Sequence, residues 1–191
     1  MSLPQHPHLA TLARMHDATG ADAHALLDAY TDAQRCWKPN AKSWSIDQCF
    51  EHLAITGEIY ASAVDAALDG HAATANPAPY KPTWFGKLFL NFVKPEARMK
   101  VKTLSVFEPA AASSVSTDAL SRFWTQHERI GQYLHRADGL PLNSIRIVSP
   151  ASSLVKFTLG EVMTLLVWHE KRHVRQAQRL IAHTQFPHEA A

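Results

Sequence analysis

Residues 158–181 read TLGEVMTLLVWHEKRHVRQAQRLI and predict an amphipathic helix that begins with a capping box. Thr158 can accept a hydrogen bond from the backbone of Glu161, and the Glu161 side chain can reach back to Thr158. Two histidines, His169 and His173, stand one turn apart on its inward stripe, where an all-apolar seam would carry Leu or Ile. Such a pair can present two imidazoles to one point, as metal sites require. The alternative is that each is a hydrogen-bonded core histidine. The other stripe members are Val162, Leu166, Gln176, Ala177 and Leu180.

Length and composition predict one globular domain that is rich in helix. The 191 residues suffice for one substantial core, and 46% hydrophobic with 19% charged residues is ordinary for a globular protein. Glycine is scarce, with seven residues, and β-branched runs are few, which favours helices over sheet. The net charge of +2 is too small to argue for nucleic acid as a partner.

The cysteines and the apolar runs predict a cytoplasmic protein with no membrane partner. Cys36 and Cys49 form no zinc-ribbon pattern and make a poor disulfide scaffold, so we expect both to be reduced. The first residues show no apolar core of a secretory signal. No apolar stretch reaches the roughly 18 residues of a transmembrane helix.

Three further segments show helical periodicity. The first covers about residues 8–33 and is interrupted by Gly20, so one bent helix and two helices are both possible; we expect His16 on its surface. The second begins at a capping box of Ser45 and Gln48 and stops near Gly70. The third covers about residues 120–134.

Two histidines on these segments are candidate site residues. His52, on the second helical segment, lies about 100° round the helix from the apolar stripe and by itself indicates a boundary position. His127, on the third, faces inward and is a candidate to line a pocket, although a satisfied core histidine is the alternative.

The connections are less regular. Proline divides the stretch 71–115, which contains the apolar run 84–93, expected to be a short helix or lid over the core. Residues 145–148 could form a short extended piece. A basic patch follows the apolar run and could attract an anionic ligand or simply be solvated. It comprises Lys94, Arg98, Lys100 and Lys102.

Together the four amphipathic segments predict an all-α fold: a four-helix bundle with one long crossover, in a single domain 1–191 whose core covers about residues 8–184. Sites in such bundles are built from inward side chains on facing helices. His52, with His169 and His173, would suit a three-histidine metal site. Candidate pocket walls are Thr56, Tyr60, His127 and the run 84–92.

The sequence HEKRH at 169–173 also matches H-E-x-x-H, the zinc-peptidase motif in which the glutamate is the general base. That role would fall to Glu170. The extended metzincin motif needs histidine at position 179, where this chain has Arg179. Little chain follows His173 to supply a third ligand, so this interpretation is the weaker one.

Several of these elements resemble one known family, the DinB/YfiT-like superfamily. The resemblance rests on Trp-Ser-Ile at 44–46, Glu-His-Leu at 51–53, Trp-His-Glu at 168–170 with Arg-His at 172–173, and Gln-Ala at 176–177. The stretch 99–109 is similar to the longer members. The resemblance covers roughly residues 20–183.

The resemblance implies a four-helix bundle that holds a divalent metal on His52, His169 and His173, often in a homodimer. Some relatives are thiol transferases that use bacillithiol or mycothiol, and others are a maleylpyruvate isomerase. Three neutral imidazoles suit Zn, Ni or Fe and leave positions open for water, a thiolate or a substrate oxygen. The leading hypothesis is therefore a metal-dependent enzyme acting on a small molecule, possibly with a low-molecular-weight thiol, by S-transfer or hydrolysis. The alternative is a non-catalytic, stress-linked, dimeric metal-binding protein.

Overall fold

The computed structural model describes residues 2–74, 78–96, 103–111 and 118–188. This part of the chain is mostly helical, with one small sheet. In chain order its elements are α1 (Pro7–Ala29), α2 (Asp32–Cys36), α3 (Ile46–Asp69), α4 (Trp84–Val93), a 3-10 helix (Ser105–Phe107), α5 (Ala119–Arg136), β1 (Arg146–Ser149), β2 (Ser152–Thr158) and α6 (Leu159–Ile181).

The predicted helix starts are confirmed by their caps. In α6 the Thr158 hydroxyl accepts from the Glu161 backbone, and the Glu161 carboxylate accepts from the Thr158 backbone. Ser45 and Gln48 form the same reciprocal pair at the start of α3. Each box satisfies two backbone N–H groups that a buried helix end would otherwise leave unpaired.

The four long helices enclose the core. Helix α3 packs on α5 and α6, and α1 packs on α6 and α5. The buried apolar side chains form two clusters: one includes Leu9, Val64 and Val162, and the other Leu26, Phe50 and Val174. Each of the four long helices contributes side chains to both clusters. The middle stretches of these helices, which lie between the two clusters, together form a layer across the core. That layer carries most of the buried polar residues discussed below.

The described part of the chain is mostly helical, as predicted, but residues 146–158 add an antiparallel hairpin where only a possible extended piece at residues 145–148 was expected. Arg146 pairs with Thr158, and Ile147 pairs with Phe157. The side chains of β1 alternate as a half-buried strand requires, with Ile147 buried and Val148 exposed, whereas in β2 only the end, at Phe157 and Thr158, is buried. The hairpin leads directly into the cap of α6.

Within its described residues, the crossover forms short elements. Helix α4 buries Gly86 and Leu90 and leaves Trp84 exposed, so the apolar run is a short helix on the core. Of the basic patch, Lys94 caps α4, while Arg98, Lys100 and Lys102 lie outside the described residues. Among the helices that the structure describes, none is both long and apolar enough to cross a bilayer.

Candidate metal centre

Three imidazoles converge in the polar layer of the core. His52 projects from α3, and His169 and His173 project from successive turns of α6. The Nε2 atoms of His52 and His169 lie 3.1 Å apart. One nitrogen from each of the three rings lies within 4.8 Å of the others. The structure thus brings together the three residues predicted as metal ligands.

The second nitrogen of His52 is held by the crossover. Its Nδ1 donates to the carbonyl oxygen of Phe107, 2.6 Å away, at the end of the 3-10 helix. Two buried side chains on the preceding turn of α3 hold this segment: Glu51 accepts from the backbone of Ala110 at 2.8 Å, and Gln48 donates to its carbonyl at 2.7 Å. An imidazole that donates from Nδ1 keeps its Nε2 lone pair for a ligand.

The site favours neutral imidazoles. Burial lowers the pKa of His52, and the hydrogen bond to Phe107 opposes that effect only in part. Burial, followed by the nearby His52 and Arg172, lowers the pKa of His169 well below its usual value. His173 shows the same direction, from burial and then from its two histidine neighbours. Neutral imidazole is the form that binds a metal.

One wall of the site is aromatic. The ring of Trp44, just before the α3 cap, lies 4.8 Å from the ring of His52 and 5.7 Å from that of His173, measured between centroids. Trp44 therefore packs beside these two imidazoles and covers part of one side of the site.

The residues present fit a divalent transition metal. The Nδ1 atom of His173 is buried and has no hydrogen-bond partner in the described part of the chain, as expected of an imidazole whose partner is not a protein group. Three uncharged nitrogen donors suit Zn, Ni or Fe better than Mg or Ca. A three-histidine set also leaves coordination positions open.

A second polar group lies in the same layer and contains Glu170. Nδ1 of His16, on α1, donates to one carboxylate oxygen at 2.9 Å, and Nδ1 of His127, on α5, donates to the other at 2.8 Å. Burial acts to raise the pKa of Glu170, but the hydrogen bonds from His127 and His16 bring it below its usual value. The ionised carboxylate therefore links α6 to α1 and α5.

The geometry of this second group indicates hydrogen bonding rather than metal ligation, although its three ligand atoms also lie within 4.8 Å of one another. The rings of His16 and His127 are stacked, with centroids 3.9 Å apart and planes inclined by 24°. The lone pair of a ring nitrogen lies in the plane of its ring, and two stacked rings share no plane in which one ion could lie. The lone pairs of the two rings therefore do not meet at one point. Each ring instead donates to its own oxygen of one carboxylate.

This arrangement corrects two expectations. His16, expected on the surface, is only 4% exposed, because Glu170 and the His127 ring enclose it. Glu170 is only 2% exposed, and both of its oxygens are engaged. A buried carboxylate that is held by two imidazoles does not suit a peptidase general base, which must reach a water molecule beside the substrate. His16 follows the first apolar stripe at helical spacing, which was the available signal of its burial.

The other predicted pocket residues lie in different places. Thr56 lines a small cavity together with His169 and Glu170. Tyr60 lies in the apolar core, where burial raises the pKa of its hydroxyl. His127 reaches from the Glu170 carboxylate to the edge of an open surface groove that includes Asp17 and Trp124. The structure therefore does not gather these three residues around one pocket.

One family profile matches most of the chain. The profile of the DinB superfamily matches residues 15–177, which include all three histidines of the candidate centre. The chain belongs to the DinB superfamily. No curated protein and no solved structure shows significant similarity to it.

Proposed function

We propose that this protein binds one divalent transition metal ion on His52, His169 and His173 and uses it in a reaction on a small molecule. The observation that carries the proposal is the convergence of three imidazoles from α3 and α6 on one point, two of them buried and that of His169 half-buried. We further propose the four-helix bundle of the DinB type, a cytoplasmic location and a homodimer. The last two rest on the sequence and on the family resemblance alone.

In the proposed reaction, protein groups hold the site in position. Phe107 accepts the Nδ1 proton of His52, so that Nε2 of His52 remains available as a ligand. Trp44 covers part of one side of the site. The bound ion would supply a Lewis acid that polarises an oxygen or sulfur atom of the substrate. Thiol transfer and hydrolysis both use this chemistry, and a low-molecular-weight thiol is the proposed co-substrate.

A second candidate function is a non-catalytic metal site that stabilises the fold. One observation favours it: the cavity lined by His169 and Glu170 has a volume of only about 10 Å³. Within the described part of the chain, that space would hold about one water molecule and no organic substrate. The site also joins α3 to α6, and a metal bound only by the folded state stabilises that state.

Metal content tests the proposal. Untagged wild-type protein should contain about one equivalent of transition metal by plasma mass spectrometry, and His52→Ala, His169→Ala and His173→Ala should each lose it. His24→Ala, which alters an exposed histidine on α1, is the matched control and should retain the metal. Folded protein that takes up neither Zn²⁺ nor Ni²⁺ on titration would contradict the proposal.

Removing the metal separates the two candidates. An enzyme should show metal-dependent turnover with some member of a panel of thiols and electrophiles. A structural site should show none, and metal removal should lower the melting temperature sharply.

A further inference from the structure

A cavity of about 10 Å³ lies beside the candidate metal centre, between α3, α5 and α6. Its polar lining consists of Thr56, Gln126, His169 and Glu170, and the rest of its wall is apolar or glycine. A space of this size holds about one water molecule when two or more polar groups surround it. The cavity meets both conditions.

Gln126 lines this cavity, and its amide oxygen can accept a hydrogen bond. The residue is 6% exposed, and its amide oxygen Oε1 is buried without a hydrogen-bond partner among the residues that the structure describes. Gly57 makes room for it: a Cβ atom at position 57 would lie 2.7 Å from Cβ and Cγ of Gln126 and 3.2 Å from Oε1. Buried amide oxygens almost always have a partner, so a water molecule in the adjoining cavity is a candidate partner for this one.

His169 also lines this cavity, and its Nδ1 can donate a hydrogen bond. Its Nε2 faces Nε2 of His52 and is the nitrogen that points into the metal site. No hydrogen bond joins its Nδ1 to any residue that the structure describes. His52, by contrast, donates its Nδ1 proton to Phe107. A ligating imidazole normally donates its second N–H to a carboxylate, a carbonyl or a water, because that bond fixes the tautomer and the ring orientation.

We propose that Gln126 is a positioning residue for His169 and acts through one water molecule in this cavity. The water accepts the Nδ1 proton of His169 in a hydrogen bond and donates to Oε1 of Gln126. This link keeps the Nε2 lone pair of His169 directed at the ion, as Phe107 does for His52. The inference rests on the proposed metal site.

The test compares wild-type protein with Gln126→Met, which preserves Cβ and Cγ against Gly57 but has no amide acceptor. Zn²⁺ affinity is measured by competition with a chelator, and the melting temperature is measured on the metal-free protein. Gln132→Met, at an exposed position on α5, is the matched control. Gln126→Met should still bind one equivalent of Zn²⁺ but about 10- to 100-fold more weakly. Its metal-free melting temperature should change by less than about 2 °C, because methionine fills nearly the same space and one hydrogen bond to a water molecule contributes little net stability.

Three results would overturn the inference. Zn²⁺ affinity of Gln126→Met within about threefold of wild type would show that the water link does not support His169, while the metal site itself would stand. Weaker binding accompanied by a matching fall in the metal-free melting temperature would show a packing role instead. Wild-type protein that binds no Zn²⁺ would remove the proposed metal site and this inference with it.

Discussion

Nδ1 of His52 lies 2.6 Å from the carbonyl oxygen of Phe107, so a backbone group of the crossover orients a side chain of the candidate metal centre. The 3-10 helix that presents this carbonyl is held to α3 by Glu51, which is 4% exposed and accepts from the backbone of Ala110. The crossover is therefore part of the site and does more than connect two helices.

The first prediction concerns this support. Glu51→Ala removes the acceptor for Ala110, so the segment 103–111 should be held less firmly and His52 should lose its fixed orientation. We expect one equivalent of metal to remain and its affinity to fall about 10-fold, as measured by chelator competition. The control is Glu58→Ala on the same helix, which breaks only a partly exposed pair with Arg122. Equal affinities for the two variants would contradict the prediction.

The second prediction concerns the buried carboxylate. Glu170→Ala leaves the Nδ1 donors of His16 and His127 without their acceptor inside the core. Breaking a buried, hydrogen-bonded group of this kind should cost about 3–5 kcal/mol in the free energy of unfolding. Urea unfolding of the metal-free protein measures this loss without any contribution from the metal.

The matched control for that variant is Asp65→Ala. Asp65 pairs with Arg136 at the surface, where both side chains are about 40% exposed. An exposed pair contributes only about 0–1 kcal/mol, so this control should unfold nearly as wild type does. A loss for Glu170→Ala in the same small range would show that the carboxylate does not link the helices.

The features that the sequence predicted correctly are local ones. The caps at Thr158 and Ser45 depend on residues three positions apart, and the helical stripes repeat every three or four residues. The convergence of His52 with the α6 pair required more, and it came from the family resemblance together with the expected packing of facing helices. The hairpin was visible only as a possible extended piece at residues 145–148.

The features that were missed depend on contacts between distant parts of the chain. The burial of His16 follows from its helical stripe, but its partner Glu170 is 154 residues away and follows from no local pattern. The support of His52 by Phe107 uses a backbone carbonyl, which every residue has, so no residue type marks it. Gly57 and Gln126 meet only because α3 packs on α5.

The third prediction concerns Gly20, in the middle of α1. A Cβ atom there would lie 2.5 Å from Nε2 of His127, so Gly20→Ala should displace the ring that holds Glu170. Alanine normally stabilises a helix interior by about 1 kcal/mol relative to glycine. Here we expect a net loss of about 1–3 kcal/mol in the free energy of unfolding, because a well-packed core resists added volume.

Two comparisons test the cause of that loss. Gly131→Ala adds a methyl group 3.3 Å from Nε2 of His16, a looser contact, and should cost less than Gly20→Ala. In a His127→Ala background the clash is absent, so Gly20→Ala should then be neutral or stabilising. A loss of the same size in both backgrounds would contradict steric conflict with the ring as its origin.

The fourth prediction concerns acid stability and His8. Its ring is stacked on Tyr80 at 3.9 Å between centroids, and its Nε2 lies 2.9 Å from the Thr164 hydroxyl. Burial, reinforced by nearby His6, lowers the pKa of His8 from 6.5 to about 4, and a hydrogen bond to Gly160 opposes this only in part. His8 thus favours the folded state fully above pH 6.5, and that contribution is lost as the pH falls through about 4.

The reason is that the unfolded chain takes up a proton on His8 near pH 6.5, whereas the folded chain does not until the pH approaches 4. His8→Gln keeps a polar partner for Thr164 but cannot titrate. Between these two pH values its free energy of unfolding should fall less steeply than that of wild type, by up to about 1.4 kcal/mol per pH unit. An NMR titration of the His8 ring gives the pKa directly. Burial is the main cause and Tyr80 covers one face of the ring, so Tyr80→Ala, which uncovers that face, should raise the midpoint towards 6.5; a wild-type midpoint already near 6.5 would contradict the prediction.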